Sequence, residues 1–184
     1  ARFAGATQTM LQTRNYVVPY FNGVHRYQKP ILIYWLQAAA AALLGMNETA
    51  LRLPSAIAMA VLLCVVYAFL RYWLRRTSMG GSTAGESGRI ALLCTVSLGT
   101  MPFVSIWARS ATADAVLTLW IGSTILSLMH SDLKFRTGGG GATPSHSFWR
   151  LVAAGCAGAG FLTKGPVALV IPGAVWLIYH AIQR

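Results

Sequence analysis

The sequence predicts an all-α integral membrane protein: a polytopic helical bundle of about five membrane helices, with one further helix at the outer interface. Three observations predict it. The 184 residues are 55% hydrophobic and 10% charged, where a soluble domain carries about 25% charged residues. The stretches 30–47, 53–70, 90–108, 115–131, 151–163 and 165–183 contain no Asp, Glu, Lys or Arg, and about 20 apolar residues, with a range of roughly 17 to 25, cross ~30 Å of hydrocarbon. The 15 basic residues outnumber the 4 acidic ones, for a net charge of +11. They stand mostly singly between the neutral stretches and are not gathered into a patch, so the excess points to a membrane and not to nucleic acid.

The elements follow in chain order. Residues 1–53 read as an outer-face region. Ala1 is not a start methionine, and ARFAGATQTM lacks the basic and apolar regions of a signal peptide, so the expectation is a piece of a larger protein. Ala1–Leu11 can form a helix of few charges, and VVPYFNG an extended segment entering a turn. ILIYWLQAAAAALLG makes a 15-residue apolar helix of about 22 Å, too short to span comfortably. It is expected at the outer interface, with Tyr34 and Trp35 at the headgroups.

The remaining chain, 54–184, supplies the spans. The first covers about 54–74, with Pro54 near its first turn, where a missing N–H is harmless; Arg71, Arg75 and Arg76 at its end can snorkel. The second covers 90–108, with a kink expected at Pro102, and the third 115–130. The fourth, 150–163, has a neutral part of only 13 residues and reads as short or broken; Gly155, Ala157, Gly158, Ala159 and Gly160 would allow close helix packing. The fifth, 166–182, starts at Pro166 and contains Pro172. The Gly/Ser/Thr-rich stretches 77–89 and 131–149 read as flexible connectors. Gly138–Gly141 lacks the lysine-serine that would make it a phosphate loop, and His146, His130 and His180 read as loop or span-end residues. Cys64, Cys94 and Cys156 lie in apolar runs with no CxxC, which supports neither a disulfide scaffold nor a thiolate metal site.

Orientation comes from counting positive charges. One side holds Arg71, Arg75, Arg76, Arg89, Lys134, Arg136, Arg150 and Arg184, eight near span ends; the other has three near span ends, Arg52, Arg109 and Lys164. That places the first group in the cytoplasm. Over whole loops Arg2, Arg14, Arg26 and Lys29 bring the outer side to seven, and an anionic ligand at the outer face would account for them.

No His/Cys/Asp/Glu cluster has metal spacing and no GxSxG is present, so the chemistry rests on polar residues of the outer side. Asp114 starts a span; it reads either as a carboxylate favoured by the helix dipole, with Thr112 as cap, or as a functional acid. Lys164 precedes Gly165-Pro166 and is expected at a helix N-terminus, where its charge is unfavourable unless an anion bridges it to backbone N–H groups. Arg26 and Lys29 flank Tyr27-Gln28 and read as lipid anchors or as part of an anion site. Asn47-Glu48-Thr49 fits a glycosylation sequon and reads as chance.

At these residues the chain resembles a known family. NYVVPYFNGVHRYQKPILIYWLQAAAAALLGMNETALRLPSA, ARSATADAVLTLW and GFLTKGPVALVIPG are similar, in order, to three motifs of the bacterial polyprenyl-phosphate-dependent membrane glycosyltransferases. These include the 4-amino-4-deoxy-L-arabinose transferases of lipid A and are related to protein O-mannosyltransferases. The resemblance implies the N-terminal part of a GT-C-type fold with about a dozen spans, in the bacterial inner membrane, with residues 1–53 periplasmic. It implies transfer of a sugar from a polyprenyl-phosphate donor to a lipid, such as lipid A, or to a protein acceptor, with inversion at the anomeric carbon. Ala1-Arg2-Phe3-Ala4 matches the tail of a motif whose acidic pair, with the main catalytic carboxylate, is expected upstream. By the same resemblance Asp114 is the second family aspartate, Lys29 with Arg26 or Arg2 holds the carrier phosphate beside Tyr27 and Gln28, and Lys164 is the lysine of the third motif. Gln28 stands where the lipid A arabinose transferases carry a glutamate implicated in metal binding, so no metal and no other cofactor is expected. Partners are the donor, the acceptor and membrane lipids. The competing readings are a lipid-linked-sugar transporter, which needs paired broken helices, and a non-catalytic membrane protein.

Overall fold

The computed structural model describes residues 2–18, 20–21, 24–25, 30–77, 84–137 and 144–183, with side chains over 5–18, 30–76, 85–133 and 147–183. As expected from the sequence, the architecture is an all-α membrane bundle; the exception is a hairpin of two-residue strands. The chain runs α1 (Arg2–Thr13), β1 (Tyr20–Phe21), β2 (Val24–His25), α2 (Leu32–Leu44), α3 (Glu48–Thr77), α4 (Ala84–Gly99), α5 (Pro102–Arg109), α6 (Ala113–Thr137), α7 (Pro144–Lys164) and α8 (Val167–Ile182). The strands are antiparallel, Tyr20 opposite His25 and Phe21 opposite Val24.

By length and apolarity α3 and α6 can each cross a membrane, and α4 with α5 makes a third crossing if the bent pair is one span; α2 and α8 are apolar but shorter. Large apolar side chains lie exposed along α4 and α8, among them Leu92, Leu93, Val170 and Leu177. That surface suits lipid and would be a liability in water.

Helix ends depart from the neutral runs for identifiable reasons. Asn47 precedes the first residue of α3, seven residues before Pro54: its Oδ1 accepts the Ala50 N–H at 2.7 Å, and its Nδ2 donates to the Leu44 carbonyl at 2.9 Å. One side chain thus caps α3 and closes the end of α2, and Pro54 lies inside α3 instead of in its first turn. Glu48 in the first turn and Arg75 and Arg76 in the last complement the helix dipole. At Pro102 the expected kink is a full break. Proline disfavours a helical predecessor, Met101 is extended (φ −60°, ψ 134°), and α5 leaves α4 at 64°.

The expected connector 131–149 is mostly helix, because α6 continues to Thr137 and α7 starts at Pro144. His146 therefore lies in α7, with its side chain outside the described residues. Among residues 77–89, α4 begins at Ala84, and 78–83, like 138–143, lie outside the described residues. The fourth expected span lies in α7, a helix of 21 residues. Of its small residues Gly160 is the one a methyl would disturb, with an added Cβ 2.9 Å from Ala168 Cβ and 3.2 Å from Trp120 Cβ; Gly155 and Gly158 meet nothing within 4 Å. Gly165, at φ +76°, adopts a conformation that favours glycine and lets α7 turn directly into α8.

The core gathers at one end of the bundle. Ala6, Met10, Ile33, Tyr34, Ala58, Ala113, Val116 and Leu119 pack together from α1, α2, α3 and α6. Tyr34, expected at the headgroups, is fully buried there, whereas Trp35 is exposed and donates its indole N–H to the Tyr16 carbonyl at 2.8 Å. Buried Gln37 accepts from Thr7 Oγ1 at 3.0 Å and donates to the Leu51 carbonyl at 3.2 Å, joining α1, α2 and α3. At the opposite end His130 is no bystander: its ring lies 4.2 Å from that of Tyr72 and 4.3 Å from that of Trp149. Tyr179 donates to Asp132 Oδ2 there at 3.0 Å, linking α8 to α6.

Candidate functional site

The site is built where α6 begins and α7 ends. The two helices pack more extensively than any other pair, and the first turn of α6 meets the last turn of α7. Asp114 lies in that first turn and Lys164 is the last residue of α7. Each charge is at the helix end whose dipole favours it, and Lys164 Nζ donates to Asp114 Oδ1 across 50 residues of sequence. Their side chains are 33% and 31% exposed, so the pair is packed on one side and accessible on the other.

This corrects two expectations. Lys164 sits at a helix C-terminus and not at an N-terminus, and the negative charge that steadies it is Asp114, with no bound anion needed. Thr112 does not cap α6 with its hydroxyl: Thr112 Oγ1 is buried without a hydrogen-bond partner among the described residues, while its carbonyl accepts Ser55 Oγ from α3 at 3.2 Å. That bond ties α3 to the entry of α6. Below the pair, Thr118 Oγ1 and Thr163 Oγ1 each donate at 2.8 Å to the carbonyl one turn back, which leaves them no donor to offer a substrate.

Of the residues singled out in the sequence, the structure therefore brings together Asp114 and Lys164. Arg26, Tyr27, Gln28 and Lys29 lie outside the described residues, and Arg2 opens α1 with its side chain outside them. Among the described residues no group of three or more His, Cys, Asp or Glu could hold a metal ion.

At the entry to α6 is an open cleft of about 800 Å³, with Gln8, Asn47, Glu48, Arg52, Arg109, Ser110 and Thr112 in its wall; neither Asp114 nor Lys164 lines it. Glu48 pairs with Arg52 one turn on. One signal for this cleft is legible in the chain: Arg109 and Thr112 belong to the same ARSATAD run as Asp114.

A profile of the family described as "Dolichyl-phosphate-mannose-protein mannosyltransferase" matches residues 28–184. The chain is 30% identical over 189 residues to an "Undecaprenyl phosphate-alpha-4-amino-4-deoxy-L-arabinose arabinosyl transferase" of Aeromonas hydrophila, and 28% identical over 183 residues to one of Pseudomonas aeruginosa. In both cases all of this chain is covered and 30% of the relative. Two crystal structures of ArnT from Cupriavidus metallidurans, one apo and one bound to undecaprenyl phosphate, match with a TM-score of 0.84 at 20% identity, covering 98% of this chain and 30% of theirs. At that identity the likeness establishes the fold.

Proposed function

The chain belongs to the dolichyl-phosphate-mannose-protein mannosyltransferase family, and from that premise we propose that the protein transfers a glycosyl group from a polyprenyl-phosphate-linked sugar to a lipid acceptor. The reaction takes place at the outer face of the bacterial inner membrane. Relatives named for transfer of 4-amino-4-deoxy-L-arabinose from undecaprenyl phosphate favour a pentosyl donor, and lipid A as the acceptor. Residues 1–53 face the periplasm, and α3, the α4–α5 pair, α6, α7 and α8 cross the membrane.

The observation that carries this reading is the half-buried Asp114–Lys164 pair at the outer ends of α6 and α7, within the family-matched region. An acceptor oxygen attacks the sugar C1 from the face opposite the phosphate; the C1–O bond to the lipid phosphate breaks, and configuration at C1 inverts. Lys29, with Arg26 or Arg2, holds the leaving phosphate beside Tyr27 and Gln28, an electrostatic contribution that grows where water is excluded. The acceptor proton passes to the carboxylate expected upstream of Ala1. Asp114, held by Lys164, orients the sugar from the other side.

The test is transfer by the full-length protein from a synthetic polyprenyl-phosphate pentose to lipid A, followed by mass spectrometry. Lys29→Ala is expected to abolish product, and Asp114→Asn to reduce kcat by about 10²-fold. Absence of product from every polyprenyl-phosphate sugar offered would overturn the reaction; unchanged turnover in Asp114→Asn would remove that residue's role. The break between α4 and α5 also suits a transporter, which would move the lipid-linked sugar across vesicles without consuming it.

A further inference from the structure

Toward the inner end of the bundle, where α3 and α6 finish and α7 begins, lies a groove that neither the Asp114–Lys164 pair nor the donor-phosphate residues use. Three helix faces line it. Val65, Ala68, Phe69 and Tyr72 of α3 repeat at the spacing of one helical face, as do Ser123, Leu126, Ser127 and His130 of α6; Trp149, Val152 and Cys156 of α7 complete the wall. The volume is about 480 Å³, and sites for small molecules run from roughly 300 to 1,000 Å³. From Val65 to Tyr72 the groove extends about 10 Å along α3. Its walls are mostly apolar, but Ser123 and Ser127 interrupt them. These serines are 7% and 6% exposed, and their hydroxyls have no partner among the described residues, a state that buried polar groups rarely tolerate without a ligand or water.

The inner mouth of the groove is aromatic and basic. Three rings meet there, one from each helix: His130 lies 4.2 Å from Tyr72 and 4.3 Å from Trp149, and such amphipathic rings favour the headgroup region. Arg76 Cζ stands 5.7 Å from the centre of the Tyr72 ring. The ring face holds the cation at the mouth and consumes none of its N–H donors. Arg150, next to Trp149, is exposed at the same end, and neither arginine makes an ion pair among the described residues. Asp132, two residues beyond His130, is engaged toward α8, where it accepts from Tyr179.

An occupant has to supply an anion at the mouth, acceptor oxygens deeper in, and hydrocarbon beyond. A glycerophospholipid carries these in that order, as phosphate, ester carbonyls and acyl chain. A further helix is too wide: at about 10–12 Å across, this length of one fills roughly twice the groove's volume. Inorganic phosphate would leave the apolar walls and the serines unused. We propose that the groove binds an anionic phospholipid, with its phosphate at Arg76 and Arg150, an ester carbonyl accepting from Ser127 Oγ, and an acyl chain passing Ala68 and Val152. Basic sites between membrane helices on the cytoplasmic side suit such headgroups. The lipid joins the inner ends of α6 and α7, the helices whose outer ends carry Asp114 and Lys164. Its place in the inner leaflet rests on the orientation given above; binding itself does not, so the two fail separately.

Binding is measured on the full-length protein in nonionic detergent, with dioleoyl phosphatidylglycerol, dioleoyl phosphatidylcholine and inorganic phosphate as separate probes. The phosphatidylglycerol is expected to bind about tenfold tighter than the phosphatidylcholine. Arg76→Gln should remove most of that preference, Arg76→Lys should retain part of it, and Arg150→Gln should reduce it. Ala68→Trp, which fills the groove from an exposed position, should weaken both lipids alike, as should Ser127→Val. Equal binding of the two lipids overturns the site, as does a preference unchanged in both Arg76→Gln and Arg150→Gln. Binding unchanged in Ala68→Trp moves the lipid out of the groove and overturns it too. Competition by inorganic phosphate at equal concentration overturns the lipid assignment. No lipid bound, with a lower Tm in Ala68→Trp, gives the groove to another segment of the full-length chain and overturns the proposal. If Arg76→Gln fails to fold, Arg76→Lys and Arg150→Gln decide.

Discussion

A partly buried carboxylate that loses its cation becomes an uncompensated charge, and it responds by moving toward water. Lys164→Met should therefore displace Asp114 from the geometry that its pairing fixes. The expected outcome is a fall in kcat of about a hundredfold with a smaller change in the donor KM, and Lys164→Arg should recover much of it. Steady-state kinetics on the full-length protein checks the split; a fall in kcat matched by an equal fall in the folded fraction, read by thermal unfolding, would argue for plain unfolding. Each of the two residues was legible in the sequence, because isolated charges bracketing neutral runs stand out. Their pairing was not. It depends on α6 and α7 running antiparallel, and Gly165-Pro166, which does open α8, gives no sign that Lys164 still belongs to the end of α7. Thr112 escaped for a related reason: a threonine before Ala113-Asp114 has the pattern of a cap, and only packing against Ser55 shows its hydroxyl turned away from that role.

Helices fail or hold through their contact surfaces, and α7 has one narrow contact. Gly160→Val would drive a branched side chain into Ala168 and Trp120, an overpacking cost of about 1–3 kcal/mol. Gly155→Ala, with open space around it, should stay within about 0.5 kcal/mol of the unsubstituted protein; thermal unfolding in detergent measures both. The buried Gln37 bridge gives a second element-scale expectation. Gln37→Leu strands Thr7 Oγ1 and the Leu51 carbonyl, so α1 should loosen from α2 and α3 at a cost of about 1–3 kcal/mol. Protease accessibility of the α1 segment reports that loosening. Sequence patterning anticipated the helices of the described residues, with α4 and α5 as one kinked span, but it placed their ends by charge. The actual ends follow local chemistry: a capping asparagine at 47, a proline that straightens its predecessor at 101, a left-handed glycine at 165. Helical turns that carry Ser, His or Arg continue past the neutral window whenever neighbours support them, which is why 131–137 and 144–150 joined α6 and α7.

For the molecule as a whole, the charge count predicts opposite exposure of its two ends. With Cys64, Cys94 and Cys156 replaced, single cysteines at Asn47 and Ser110 should react with a membrane-impermeant thiol reagent in spheroplasts, whereas cysteines at Arg76 and Lys134 should react after lysis alone. The reverse pattern would invert the topology. The membrane class was legible because composition is a property of the entire chain; the polar fittings at each end were not, since they assemble from distant segments. Those fittings have a metric consequence. Asp114 with Lys164 marks one end of α6, and Asp132 with Tyr179 marks the other. The 18 residues from Asp114 to Asp132 rise about 27 Å, so the helix carries a built-in gauge of hydrocarbon thickness, close to that of a thin bilayer. In a thicker bilayer α6 would have to stay upright and pull one of its polar ends beneath the headgroups, with a penalty for every ångström of mismatch. Reconstitution into lipids of increasing acyl length should therefore give turnover that peaks at a matching thickness and declines beyond it.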